Sequence, residues 1–124
     1  MTVSRPLVTV VDDDESIRES LPDLLGEFGF ASQTFASAEE FLASNAINAT
    51  NCLILDVAMP GMSGPDLLRE LIRRRQRIPT IFITAHGSEA TRPQLIAEGA
   101  VDCLLKPFSD TALREAIDAA LGAG

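Results

Sequence analysis

A chain of 124 residues with 46% hydrophobic and 23% charged residues has the size and composition of one globular domain. Its formal net charge of −8 argues against a domain that grips nucleic acid directly and favours cationic partners, either metal ions or basic protein surfaces. No apolar run approaches the ~20 residues of a membrane span, and the amino terminus lacks a signal-peptide pattern, so the expectation is a cytoplasmic protein with no membrane segment.

The first element is Leu7-Val8-Thr9-Val10-Val11, a near-continuous apolar run of the kind that forms a central parallel strand covered on both faces. It ends in Asp12-Asp13-Asp14-Glu15. A helix follows, with Ile17, Leu21, Leu24, Leu25 and Phe28 at helical spacing and Gly29 as its stop. Pro22 removes one helical hydrogen bond and predicts a kink on the face away from the core. Asp14 and Glu15 suit the positive end of that helix dipole.

Residues 31–35 alternate weakly and read as an edge strand. Ser37-Ala38-Glu39-Glu40 has the spacing of a capping box. The helix it opens carries Phe41 and Leu42 and frays near Asn45, and 48–51 read as a polar loop. Next comes Cys52-Leu53-Ile54-Leu55-Asp56, a buried strand that ends on a carboxylate, with a Pro60-Gly61 turn beyond it. Gly64-Pro65 starts a third helix, for which Leu67, Leu68, Leu71 and Ile72 are expected to face inward. Arg73, Arg74, Arg75 and Arg77 crowd its end, where the macrodipole favours cations. The sharper alternative is a docking patch for an acidic partner.

Pro79 leads into the strand Thr80-Ile81-Phe82-Ile83-Thr84. The fourth helix is short, with Pro93 in its first turn and Gly99 closing it. Val101-Asp102-Cys103-Leu104-Leu105 is the last strand and runs into Lys106-Pro107-Phe108. Ser109 caps a final helix carrying Leu113, Ile117 and Leu121. Both cysteines, Cys52 and Cys103, fall in strands and read as buried thiols acting as small hydrophobes.

Five strand–helix alternations with short loops imply a doubly wound α/β fold, a parallel sheet with helices on both faces. In such a sheet all strand carboxyl ends share one edge, which gathers Asp12, Asp13, Asp56, Thr84 and Lys106. Two carboxylates ~4 Å apart at an effective dielectric near 20 repel by ~4 kcal/mol. A hard divalent cation relieves that repulsion, and Mg²⁺ suits a few carboxylates with positions left for water and phosphate. The chemistry this predicts is in-line phosphoryl transfer onto Asp56, with Lys106 taking a phosphoryl oxygen.

Val11-Asp12-Asp13, Leu55-Asp56, Met59-Pro60-Gly61, Ser63-Gly64, Ile83-Thr84-Ala85, Gly99-Ala100 and Lys106-Pro107-Phe108 together resemble the receiver domain of two-component response regulators. The resemblance covers nearly the whole chain and implies one receiver domain over 1–124. It also implies a (βα)5 flavodoxin-like three-layer sandwich with strand order 2-1-3-4-5. In that order Cys52 and Cys103 lie two strand spacings apart, ~9.6 Å, beyond the ~7 Å reach of an unforced disulfide.

By resemblance, Asp56 accepts a phosphoryl group from a sensor histidine kinase. Asp13, Asp56 and the backbone carbonyl of Ala58 bind Mg²⁺ directly, and Asp12 reaches it mainly through water. Thr84 and Lys106 bind phosphoryl oxygens, and Lys106–Pro107 is cis. Phosphorylation then draws Thr84 inward and reshapes the fourth helix, last strand and last helix. A homodimer through that surface and a DNA-binding output domain beyond this chain are compatible with the resemblance. The chain stops where its last helix is expected to end, so a stand-alone receiver and a piece of a longer regulator both stay open.

Two positions depart from the family pattern. Cys103 stands where many receivers carry an aromatic switch residue, which means either a weakened switch or plain core filling. Ala58 offers no side chain to position a hydrolytic water, so His86, two residues after Thr84, is the candidate for that task. Its bland alternative is a loop histidine with no chemical role. Among other classes, an aspartyl-phosphate phosphohydrolase of the haloacid-dehalogenase type wants an acid at 58. A flavin carrier wants a hydroxyl-rich loop where this chain has four acids. A phosphorylation-independent interaction module has no use for the acid set.

Overall fold

The alternating pattern folds into a five-stranded parallel sheet in the order β2-β1-β3-β4-β5, seen here in a computed structural model that describes residues 5–85 and 91–123. The strands are β1 Leu7–Val11, β2 Ala31–Phe35, β3 Cys52–Asp56, β4 Thr80–Thr84 and β5 Asp102–Leu105. The helices are α1 Glu15–Glu27, α2 Ala38–Ala43, α3 Ala46–Ala49, α4 Gly64–Arg73, α5 Thr91–Ala97 and α6 Asp110–Ala123.

Two of the three interior strands, β3 and β4, are buried along their whole length, as sheets covered on both faces require. Alternate residues feed opposite cores. Leu53, Leu55 and Phe82 pack with α2, α3, α4 and α5 on one face. Cys52, Ile54, Ile81 and Ile83 pack with α1 and α6 on the other. The two thiols therefore point to opposite sides of the sheet, Cys52 into one core and Cys103 against the other. Both are free. Burial pushes the Cys52 thiol up to about 12. Cys103 is only half-buried, and burial followed by the Asp102 charge also raises its thiol.

Helix ends follow their chemistry with some exceptions. Asp14 caps α1 through the Ser16 N–H, and α1 runs unbroken through a partly exposed Pro22. Ser37 accepts from Glu40 N–H at 3.1 Å. The Glu40 carboxylate, in turn, accepts from the Ser37 hydroxyl at 3.2 Å. The reciprocal box forms instead at α4, between Ser63 and Asp66. The segment expected to fray after Asn45 makes the separate turn α3, because the Ser44 hydroxyl accepts from Ala46 N–H and Thr50 closes back on the Ala46 carbonyl.

Ile72 departs from expectation. It is 54% exposed, because Leu67, Leu68 and Leu71 already fill the inward stripe of α4.

Three helices end in the same Schellman geometry, in which the two residues past the cap bond back into the last turn. In α1 and α5 the left-handed position is Gly29 (φ 92°) and Gly99 (φ 118°). In α4 it is Arg75 (φ 60°), whose N–H bonds the Ile72 carbonyl at 2.9 Å.

Candidate functional site

Register builds the site. Val11 pairs with Leu55, so one step further places Asp12 beside Asp56 at the carboxyl edge. Asp56 pairs with Ile83, and Thr84 with Leu105, which brings Thr84 and Lys106 to the same rim. Among the described residues one group of acids is close enough to hold a metal ion. It consists of Asp12, Asp13 and Asp56, each with an oxygen within 4.8 Å of the others.

Asp12 is fully buried, and a buried carboxylate left without partners is expensive. Every polar atom of Asp12 is engaged. Its N–H donates to the Phe35 carbonyl at 3.1 Å. One carboxylate oxygen accepts from Asp14 N–H at 2.9 Å. The other accepts from Lys106 Nζ at 2.9 Å, and its backbone carbonyl accepts from Arg18 Nη1 at 2.9 Å. Asp13, next in the chain, is exposed, yet its carboxylate still reaches the Asp12–Asp56 group.

Asp56 is 6% exposed, with Lys106 Nζ 3.8 Å from its Oδ1. Burial, then the Asp12 charge, raise its carboxyl against the opposing charge of Lys106, and together with hydrogen bonds to Asp13 and Asp12 they bring it up to about 7. Burial acts to lower the Lys106 ammonium, but its bond to Asp12 and the charges of Asp12, Asp56 and Asp14 outweigh that and raise it. The edge is thus over-supplied with negative charge and short of cations.

Backbone bonds lock the supporting loops. Lys106 N–H donates to the Thr84 carbonyl at 2.8 Å, and the Lys106–Pro107 bond is cis, as the resemblance implies. Thr84 is 5% exposed. Ala58 lies exposed in the loop after β3. That loop is tied down by Val57 N–H to the Ile83 carbonyl and Gly64 N–H to the Val57 carbonyl, each 3.0 Å. Glu39 of α2 accepts from Met62 N–H, also at 3.0 Å. A Cβ on Gly64 would stand 2.2 Å from the Asp56 carbonyl oxygen, so α4 can start this close to the acid only from glycine.

Sequence reasoning did not single out Arg18 or Glu39. Glu39 leaves no local signal, since its partner is 23 residues away. Arg18 leaves one: a cation in the first turn of a helix opposes the macrodipole and so asks for a reason. Cys103 lies on β5 opposite Phe82, packed against the core. His86 falls outside the described residues.

The donors fit a hard divalent ion. All three are carboxylates, and Mg²⁺ with oxygens at about 2.1 Å holds its ligands no more than about 4.2 Å apart. A sub-ångström inward shift satisfies that.

Known proteins similar to this chain fall in one family. Residues 8–118 match the family described as response regulator receiver domain. Nodulation protein W of Bradyrhizobium diazoefficiens is 44% identical over 117 residues, covering 94% of this chain and 52% of that protein. The transcriptional regulatory protein FixJ of Rhizobium meliloti is 43% identical over 113 residues, covering 91% of this chain and 55% of that protein. The chain thus spans about half the length of these curated relatives. The crystal structure of FixJ-N superimposes with a TM-score of 0.85 at 40% identity, covering 97% of this chain and 96% of that one.

Proposed function

The chain belongs to the response regulator receiver family, whose members act in two-component signal transduction, and from that premise we propose that Asp56 is its phosphoryl acceptor. A carboxylate oxygen of Asp56 attacks the phosphorus of a phosphohistidine on a sensor histidine kinase. The P–O bond forms as the P–N bond breaks, and the imidazole leaves. Lys106 already lies within 3.8 Å of Asp56 and neutralises one phosphoryl oxygen, while the Thr84 hydroxyl donates to another. Asp13, Asp56 and the Ala58 carbonyl would hold Mg²⁺, with Asp12 behind them. The ion, when bound, supplies the positive charge that shields phosphoryl oxygens from the three carboxylates.

The observation that carries this reading is the convergence of three carboxylates and one ammonium on a single edge. The residues form one receiver domain over 1–124, working in the cytoplasm. The surface that phosphorylation of Asp56 reshapes, α5, β5 and α6, controls a DNA-binding output domain or pairs with a second copy. No helix among the described residues is long and apolar enough to cross a membrane.

The test is labelling by acetyl phosphate with Mg²⁺. The wild type should gain an acid-stable, base-labile phosphoryl group and Asp56→Asn should gain none. Equal labelling of the mutant would move the chemistry elsewhere.

A further inference from the structure

Three carboxylates repel one another, and two of them, Asp12 and Asp13, sit on a short connection between β1 and α1. Asp13 and Asp14 in that connection are exposed. Something must hold it in place against the repulsion. Three of the bonds to Asp12 come from β2, from Asp14 and from Lys106. The fourth comes from α1, where Arg18 Nη1 reaches back 2.9 Å to the Asp12 carbonyl. Arg18 is half-buried, and its position in the first turn of α1 is one that the helix dipole disfavours for a cation.

We propose that Arg18 is a positioning residue: its guanidinium clamps the Asp12 carbonyl so that the Asp12 and Asp13 carboxylates stay aimed at Asp56. This inference rests on the proposed Mg²⁺ site. The clamp makes a prediction of definite sign. A guanidinium acting only as a nearby charge would repel Mg²⁺, so removing it would tighten binding. A guanidinium acting as a clamp does the opposite, because its loss lets the connection splay. Partners that orient metal ligands from behind typically contribute 10-fold or more to affinity.

The test is Mg²⁺ titration by isothermal calorimetry on the wild type, Arg18→Met and Arg18→Lys, with thermal melts to verify folding. Arg18→Met should weaken Mg²⁺ binding roughly 10-fold, and Arg18→Lys should recover part of that loss because an ammonium can still donate to the carbonyl. Unchanged or tighter binding by Arg18→Met overturns the clamp, whatever happens to its melting temperature. A loss that lysine does not relieve at all also overturns it, since lost packing would then be the cause. A wild type that binds no Mg²⁺ is a different failure: it removes the functional reading itself.

Discussion

The Lys106 ammonium lies 2.9 Å from the carboxylate of Asp12 and 3.8 Å from that of Asp56, so its tighter partner is not the acid proposed as phosphoryl acceptor. Asp12 is the fully buried one, and desolvation makes a paired cation worth most there. Lys106→Met strands that charge. It should cost roughly 3–5 kcal/mol in urea unfolding without Mg²⁺, as well as blocking labelling by acetyl phosphate. A loss of labelling with unchanged stability would mean that Asp12 does not depend on Lys106.

The raised carboxyl of Asp56 makes metal-free stability depend on pH. Its folded value is about 7 against an ordinary 3.8, so between those limits the folded state binds more protons than the unfolded state. Stability is then greatest at the acid end of that window and falls as pH rises from about 4 to about 7. Melting temperatures without metal should show this fall. Asp56→Asn should flatten it and raise the melting temperature at pH 7, and millimolar Mg²⁺ should do the same in the wild type. A melting temperature that rises with pH over this window would contradict the assignment.

Gly64→Ala tests how closely α4 is set against the acid. The new Cβ would meet the Asp56 backbone oxygen at 2.2 Å and the Phe82 ring at 3.0 Å, and neither is the free end of a flexible side chain. The substitution should cost at least ~2 kcal/mol and slow phosphorylation of Asp56. A fully stable, fully active Gly64→Ala protein would show that the helix start can slide.

Arg75→Gly should do the reverse. A left-handed residue with a Cβ costs ~1–2 kcal/mol, and the freedom glycine has in the unfolded chain takes back ~0.5–1. The net expectation is a gain of about 0.5–1 kcal/mol, with Asp56 labelling unchanged. A destabilised variant would mean that the arginine side chain makes a contribution larger than the backbone strain.

Much of this molecule was legible along the chain because its determinants are local or follow from sheet topology. Mostly apolar stretches of five residues such as 7–11, 52–56 and 80–84 mark strands. A sheet of parallel strands must place the residues that end or directly follow them, Asp12, Asp56, Thr84 and Lys106, on one edge. Caps such as Ser37 and Ser109 are read within four residues of their partners.

What only the tertiary structure decided depends on contacts between distant segments. That Lys106 leans to Asp12, 94 residues away, follows from where two strand ends finish relative to each other, which no local pattern encodes. Ile72 matched the helical stripe, yet it is exposed because that stripe was already filled. Arg18 and Glu39 gained their roles from groups brought to them by the fold. Periodicity specifies which face a side chain belongs to, but the pairing of charges on that face is settled only when the packed elements fix their distances.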